Sequence, residues 1–378
     1  MVPAGGKATA PTGVTKAIPP TTEGLYLDST VEGWYTNAVY TGEAWNFNTP
    51  VTGNLDLYAK WPDNSQAINL SSQSGDNFLD KALKYIAEHP PGQTTNYTIR
   101  LDRDYNLPGI TSSANISTAK AVITLEASSS VNIRMSSAGS LFRIGAGTLI
   151  LGNNITLTGN YDEPLGPLVH VNGASAALIM KAGSKITGNT GGTGGGVLVG
   201  GGSAAGSSFT MEGGEISGNT VHADGGGVYV ATGGTFTMKD GIISGNTAYQ
   251  KGGGVFVIRG VGAYYGTFTM EGGIISGNAS QSNNTSVGGG GVCIGGGVGS
   301  NVNFSKTGGI IYGDIDNNSN NGNATDNTAQ KGNTYGHAVF YENNYYRDAT
   351  LGEDDNISTA ALPPTATGSY DATNWIKK

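Results

Sequence analysis

Short apolar strands separated by Gly- and Asn-rich corners recur along most of the chain. From about residue 147 onward three phrases alternate: Phe-Thr-Met, then Ile-Ser-Gly-Asn or a close variant, then Gly-Gly-Gly followed by an apolar strand such as Val228-Tyr229-Val230. These runs are too short for helices and show no helical period. The pattern therefore predicts a repeat of three short strands joined by turns.

The Asn that closes the second phrase shows that this is one repeat with insertions. Successive copies lie 29, 30, 27 and 32 residues apart. A repeat of this length buries a continuous core only by stacking, with each strand paired to its counterpart in the next coil about 4.7–4.9 Å away. We therefore predict an all-β fold, a right-handed parallel β-helix (solenoid) with coils of about 27–32 residues.

Alternation along each strand predicts which side chains stack inside the coils. The Phe and Met of Phe-Thr-Met point inward and the Thr between them points outward, while the Ile of the second phrase adds a further inner column. The predicted inner columns are Phe209, Phe236, Phe268 and Phe304; Met211, Met238 and Met270; and Leu157, Ile186, Ile216, Ile243, Ile275 and Ile311.

The repeated asparagines form a column of their own: Asn160, Asn189, Asn219, Asn246 and Asn278. One interpretation is a polar ladder that binds a ligand. The other is an internal ladder in which each amide bonds its neighbour and the corner backbone, with Asn favoured because it tolerates the left-handed conformation. We favour the internal, structural ladder.

The segments around the regular repeats differ in character. Residues 97–157 read as weaker coils, and residues 76–90 place apolar side chains on one helical face before a Pro-Pro stop. Since an open β-helix end exposes unpaired backbone and apolar core, we assign this helix as a cap. The predicted organisation is a small module at 1–62, a linker at 63–75, the capping helix at 76–90, the parallel β-helix at 91–350 and a C-terminal cap or tail at 351–378.

Composition and charge narrow the function classes. The chain has 63 Gly, but without a three-residue period, which excludes collagen. A net charge of −8 and the lack of a basic stripe argue against a nucleic-acid partner. The single cysteine, Cys293, excludes an intrachain disulfide framework. No segment approaches the roughly 20 apolar residues that span a bilayer, so no membrane insertion is predicted, and no signal peptide is visible at the start.

The sequence does not predict a catalytic residue, a resident metal or a cofactor. Acid–base cleavage of a polysaccharide needs converging carboxylates, whereas the acidic residues of the regular coils are scattered. The histidines lack ligand spacing, and nucleotide-binding and hydrolase motifs are absent. Asp162-Glu163 and Glu353-Asp354-Asp355 could at most hold a weak Ca²⁺, and plain loops are the better interpretation.

One outward-facing row is a candidate ligand-binding surface. If the flanking valines of Val228-Tyr229-Val230 point inward, the middle residue points outward in every coil. The resulting row, with nearby additions from insertions, consists of His170, Leu198, Tyr229, Phe256, Cys293 and Phe340, joined by Tyr249, Tyr264 and Tyr265. Exposed aromatic columns mark interaction surfaces and suit sugar rings. The alternative is that these side chains stack on one another or lie beneath loops.

The N-terminal segment resembles the Listeria–Bacteroides repeat, a small β-grasp-like module of bacterial cell-surface proteins. The resemblance rests on Gly33-Trp34-Tyr35, on Asn46-Phe47-Asn48-Thr49-Pro50-Val51 and on Leu57-Tyr58-Ala59-Lys60-Trp61, in that order. The family's opening strand is missing here. The resemblance implies a chain that belongs to a longer surface protein, with any signal peptide or anchor upstream of residue 1.

Residues 76–378 resemble the Gly-rich β-helix proteins of the broad pectin-lyase-like fold, which carry repeated Phe-Thr-Met and Ile-Ser-Gly-Asn-Thr phrases. This resemblance implies the fold and an extracellular or cell-surface location, without a known ligand.

Three functions remain open on the sequence alone. The favoured one is a monomeric, non-catalytic, adhesin-like protein that binds an extracellular polysaccharide or a host or community surface protein. The second is a polysaccharide lyase or glycoside hydrolase, which three carboxylates close together on the outer sheet would support. The third is a structural spacer without a specific ligand, which burial of the aromatic row would favour.

Overall fold

A computed structural model describes residues 7, 9–10, 16–17, 25–27, 33–37, 39, 41–52, 55–60, 65–70, 78–111, 115–159, 166–201, 206–259, 265–281, 289–295, 303–311, 328–329, 339–341, 344–348 and 375–377. The described chain forms a parallel β-solenoid of about six turns, as predicted.

The N-terminal elements lead into the solenoid. They are β1 (Lys16–Ala17), β2 (Leu25–Leu27), β3 (Gly33–Tyr35), β4 (Tyr58–Lys60), β5 (Ser65–Leu70) and the helix α1 (Phe78–Glu88). Strands β3 and β4 pair with each other in antiparallel fashion. Strand β2 lies antiparallel to both β1 and β5. These short antiparallel pairs precede the parallel stack.

The first coils are built from longer strands. They are β6 (Thr95–Leu101), β7 (Tyr105–Leu107), β8 (Ile116–Ala127), β9 (Val131–Met135), β10 (Phe142–Leu151) and β11 (Ile155–Thr158). Strands β6, β8 and β10 pair in parallel, and so do β7, β9 and β11. The segment predicted as weaker coils therefore joins the same stack.

The regular coils follow, each with up to four strand positions, which we name A, B, C and D in chain order. Their strands are β12 (Val169–Val171), β13 (Ala176–Met180), β14 (Lys185–Thr187), β15 (Thr190–Gly191), β16 (Val197–Val199), β17 (Ser207–Ser217), β18 (Thr220–Val221), β19 (Val228–Val230), β20 (Gly234–Ser244), β21 (Thr247–Ala248), β22 (Val255–Ile258), β23 (Thr267–Met270), β24 (Ile274–Ser276), β25 (Ala279–Ser280), β26 (Val292–Gly295), β27 (Asn303–Lys306), β28 (Ile310–Ile311) and β29 (Thr328–Ala329). Strands β17 and β20 each run through positions B and C.

Position D corrects the prediction of three strands per repeat. It is a separate parallel sheet of two-residue strands, β15, β18, β21, β25 and β29, and the first four of these directly follow ladder asparagines. A pair such as Thr220-Val221 is too short to show alternation in the sequence, which is why the pattern did not reveal it.

Position A ends in antiparallel strands. Strand β30 (Val339–Tyr341) continues the parallel column of β26, whereas β31 (Asn344–Asp348) pairs antiparallel with β30 and β32 (Trp375–Lys377) pairs antiparallel with β31. The segment predicted as a C-terminal cap or tail thus contributes at least β32 to the end of the sheet.

The predicted inner columns are confirmed. Every Phe, Met and Ile position named above is buried, and adjacent coils are in register, with Phe209 opposite Phe236 and Phe236 opposite Phe268. The Phe rings stack with centroids 4.7, 4.8 and 5.2 Å apart from Phe209 to Phe304. Stacking of identical coils therefore produces one continuous apolar core.

Helix α1 lies within the predicted span 76–90. Phe78, Leu79, Ala82, Leu83 and Ile86 are buried and belong to the same core cluster as the coils. The apolar face of the helix is therefore continuous with the interior of the stack.

The segment predicted as a linker, 63–75, contains strand β5. Residues 65–69 pair in parallel with β6, so the sheet begins before the helix. The sequence concealed this strand because Ile68 and Leu70 are its only large apolar residues.

Candidate functional site

Strand register places the described members of the predicted outward row in one column on position A, but two of them are buried instead of exposed. Register pairs His170 with Leu198, Leu198 with Tyr229, Tyr229 with Phe256, and Phe256 with Cys293. His170, Leu198 and Tyr229 are half-buried, whereas Phe256 is 1% exposed and Cys293 is fully buried.

The burial of Phe256 and Cys293 comes with a second apolar cluster outside the main core. Tyr229 and Ile258 pack against these two residues. The rings of Tyr229 and Phe256 lie 5.0 Å apart at 47°, and Lys251 Nζ lies 5.7 Å from the Phe256 centroid. Outward side chains in a solenoid contact the equivalent side chains one coil away, so a large outward ring is covered by its neighbours. Phe256 and Cys293 are therefore not accessible ligand contacts.

The remaining members of the row are only partly defined. Phe340 is in register with Cys293 on β30, but its side chain lies outside the described residues, as does Tyr264. Tyr265 is half-buried, and its carbonyl accepts a hydrogen bond from the Gly233 backbone N–H at 3.2 Å.

A partly desolvated carboxylate lies beside the row. Burial raises the pKa of Asp224, and the nearby Lys251 opposes this shift. Burial, with a smaller contribution from the Asp224 charge, raises the pKa of Tyr229 to about 12. Tyr229 is therefore a neutral hydroxyl at physiological pH, able to donate and accept hydrogen bonds.

The structure brings together two exposed rings that the sequence analysis did not pair. His222 and Tyr249 stack with centroids 5.1 Å apart and an interplanar angle of 15°, and Tyr249 is 47% exposed. His222 directly follows β18 and Tyr249 directly follows β21, so both lie just after position D. The available signal was their equal place in the repeat, since each lies three residues after a ladder asparagine, Asn219 or Asn246.

The asparagine column is an internal ladder. Asn189, Asn219, Asn246 and Asn278 are all fully buried. The side-chain oxygen of Asn246 accepts hydrogen bonds from the backbone N–H and the Nδ2 of Asn219, both at 3.0 Å. The side-chain oxygen of Asn278 accepts the equivalent two hydrogen bonds from Asn246, also at 3.0 Å. In turn Asn246 Nδ2 donates to the Ile216 carbonyl at 2.9 Å. Because these amides are buried, the ladder offers nothing to a ligand. Asn160 lies outside the described residues.

The reason given for asparagine at this corner was wrong. The left-handed conformation belongs to the preceding glycine, with φ of 64° at Gly218 and 62° at Gly245, and not to the asparagine. Asparagine is instead required for its amide, which supplies both an acceptor and donors to neighbouring coils.

The enzyme alternative requires carboxylates that lie close together on the outer surface. The candidates for this role lie at the corner between positions B and C. Glu215 and Asp240 line an open groove of about 550 Å³, together with Lys185, Ile242 and Ile274. Glu215 binds Lys185 Nζ at 2.9 Å, and Glu212 pairs with Lys181 and Lys239.

Two of these carboxylates, Glu212 and Glu215, are poorly suited to acid catalysis. Hydrogen bonding to Lys181 lowers the pKa of Glu212, and for Glu215 the bonds to Ser217 and Lys185 outweigh burial, which alone would raise its pKa. Both groups are therefore ionised at neutral pH, whereas a general acid in glycoside cleavage needs a raised pKa. Among the described residues no group of three or more His, Cys, Asp or Glu could hold a metal ion. The acidic loops at 162–163 and 353–355 lie outside the described residues.

His170 makes stability sensitive to pH. Burial, with a smaller contribution from the Arg143 charge, lowers the pKa of His170 from 6.5 to about 4, and a hydrogen bond with the Gly200 backbone opposes this shift. The unfolded chain therefore binds more protons than the folded chain between these two values, so stability should fall as the pH drops from about 6.5 to about 4.

We expect the urea midpoint of His170→Gln to fall less than that of the unmodified chain over this pH window, because glutamine does not titrate. Chemical denaturation at several pH values measures this difference. Parallel midpoints for the two proteins throughout the window would show that His170 does not carry the effect.

Comparison with known proteins gives one partial match. A curated protein of Evansella cellulosilytica, "Putative Gly-rich membrane protein", is 31% identical over 93 residues. The match covers 24% of this chain and only 10% of that protein, so the chain spans a small part of its relative. No family model and no solved structure matches the chain. Within the described residues, no helix is long and apolar enough to cross a membrane.

Proposed function

We propose that this protein is a non-catalytic, adhesin-like binding protein of the cell surface or extracellular space, and that it recognises carbohydrate. The observation that carries the proposal is the stacked pair of His222 and Tyr249 on the surface. Flat rings held in place by a rigid sheet present an apolar face with little loss of side-chain entropy on binding, which suits the apolar face of a sugar ring.

The outward row on position A also supports the proposal. Leu198 and Tyr229 are half-buried and in register, so they offer an apolar strip with the neutral Tyr229 hydroxyl at one point. The N-terminal resemblance to the Listeria–Bacteroides repeat, and a Gly-rich relative named as a membrane protein, favour a cell-surface setting.

Two alternatives make different predictions. The lyase or hydrolase alternative needs a protonated carboxylate, whereas the bonds of Glu215 in the groove lower the pKa of that carboxylate. The spacer alternative is favoured by the burial of Phe256 and Cys293, but it leaves the exposed ring pair unexplained.

A glycan array with matched tyrosine variants tests the proposal. We expect the unmodified chain to bind a subset of glycans, and Tyr249→Ala to weaken that binding about tenfold, as loss of about 1–1.5 kcal/mol of ring contact implies. Tyr58→Ala is the control, because Tyr58 is 42% exposed on β4, apart from the coils, and should leave binding unchanged.

Circular dichroism must show that both variants are folded. A folded chain that binds no glycan would contradict carbohydrate recognition and favour the spacer. Equal binding by both variants would move the site away from Tyr249, and release of cleaved sugar from a bound glycan would restore the enzyme alternative.

A further inference from the structure

The outward side of position B carries a two-column array of hydroxyl groups. Phe and Met point inward on these strands, so the residues between and before them point outward. In three consecutive coils the outward positions before the Phe and between the Phe and the Met are all Ser or Thr, whereas the outward position after the Met is charged, as Glu212 in β17 and Lys239 in β20. We name this array the hydroxyl face: Ser208, Thr210, Thr235, Thr237, Thr267 and Thr269.

The register of the strands fixes the hydroxyl face as a regular grid. Ser208, Thr235 and Thr267 form one column, and Thr210, Thr237 and Thr269 form the other. Ser305 extends the second column in the next coil, and its hydroxyl donates to Thr269 Oγ1 at 3.4 Å. In the preceding coil the corresponding positions are Ala177 and Ile179, so the hydroxyl face begins at β17.

The core beneath the hydroxyl face shows that the three coils superpose closely. The rings of Phe209 and Phe236 are 4.7 Å apart and inclined by 8°, and those of Phe236 and Phe268 are 4.8 Å apart and inclined by 5°. Coils that superpose this closely repeat their outward side chains at the same spacing. Along each strand, outward residues two positions apart are separated by about 6.7 Å.

The chemistry of the hydroxyl face is also uniform. All six residues are uncharged, each hydroxyl can both donate and accept, and five of the six add a methyl group. A threonine in a strand has a restricted χ1, so its hydroxyl and methyl stay in place. Strand preference alone would equally admit Val, Ile or Tyr at these outward positions, of which Thr235 is exposed and the others are half-buried. The restriction to Ser and Thr therefore points to the hydroxyl group itself.

We propose that the hydroxyl face binds ice. Its repeat across the coils is close to one oxygen repeat on a prism face of hexagonal ice, its repeat along the strands is somewhat shorter than the other, and a regular, rigid grid of uncharged hydroxyl and methyl groups can hold water in a similar arrangement. A single sugar chain would leave most of such a grid unoccupied, and the hydroxyl face has no aromatic ring to stack on it. This surface is distinct from the ring pair of His222 and Tyr249.

Ice partitioning of the full chain tests the inference. Fluorescently labelled protein is placed in a slowly growing ice shell, and its concentration in the ice is compared with that in the remaining liquid. We expect the unmodified chain to be enriched in the ice relative to a protein that does not bind ice. Thr237→Lys should lose this enrichment, because a long charged side chain in the centre of the hydroxyl face prevents flat contact.

Thr187→Lys is the matched control, because Thr187 is a half-buried threonine on β14 at position C, outside the hydroxyl face. It should keep full enrichment, as should Tyr249→Ala. Thr269→Lys repeats the test at a second position if Thr237→Lys does not fold. Exclusion of the unmodified chain from ice would overturn the proposal, and so would enrichment that neither lysine variant on the hydroxyl face reduces.

Discussion

Replacing Phe236 with alanine is expected to destabilise the protein by about 3–5 kcal/mol, the range for removing a fully buried aromatic side chain. Phe236 is fully buried and stacks on Phe209 on one side and on Phe268 on the other. Its removal leaves a cavity in the middle of the column. The neighbouring rings cannot move into that cavity easily, because their own coils hold them in register.

The free energy of unfolding from urea titration measures this effect, and Phe236→Leu separates its two components. Leucine fills most of the volume but cannot stack, so it should cost about 1–2 kcal/mol, as expected for lost ring contacts and a small change of shape. If Phe236→Ala changed stability by no more than an exposed substitution, within about 0.5 kcal/mol, the Phe column would not be a continuous part of the core.

The prediction of the inner columns succeeded because the physical signal is strong. A large apolar residue at the same place in every repeat can only be buried if the coils stack, and alternation then decides its direction. The same logic gave the internal asparagine ladder. It failed at position D and at β5, where the strands contain too few large apolar residues to show a period.

The site was harder to predict than the fold. Alternation correctly placed Phe256 and Cys293 outside the coil core, but it contains no information about packing between outward neighbours in successive coils. That packing decides accessibility at this row. The ring pair of His222 and Tyr249 escaped notice for the opposite reason, since two polar or aromatic residues in separate loops become one surface only when position D sets them side by side.

The second large effect is expected at the buried ladder. Asn246→Ala should destabilise the protein by roughly 2–5 kcal/mol, because each buried polar group left without a partner costs about 1–3 kcal/mol. The change removes the acceptor for the backbone N–H and the Nδ2 of Asn219, and it removes the donor to the Ile216 carbonyl. Water cannot readily replace these bonds, since the ladder asparagines are fully buried.

Urea titration of Asn246→Ala is best compared with Asn106→Ala, since Asn106 is exposed on β7 and should change stability by less than about 0.5 kcal/mol. The double variant Asn219→Ala/Asn246→Ala then tests whether the two amides act together. Removing Asn219 also removes the Nδ2 group that loses its Asn246 acceptor in Asn246→Ala, so the two single losses should add to more than the double variant shows, by about 0.5–3 kcal/mol. Strict additivity would mean that each asparagine stabilises only its own corner, and the ladder would then be a row of independent turns whose amides happen to align.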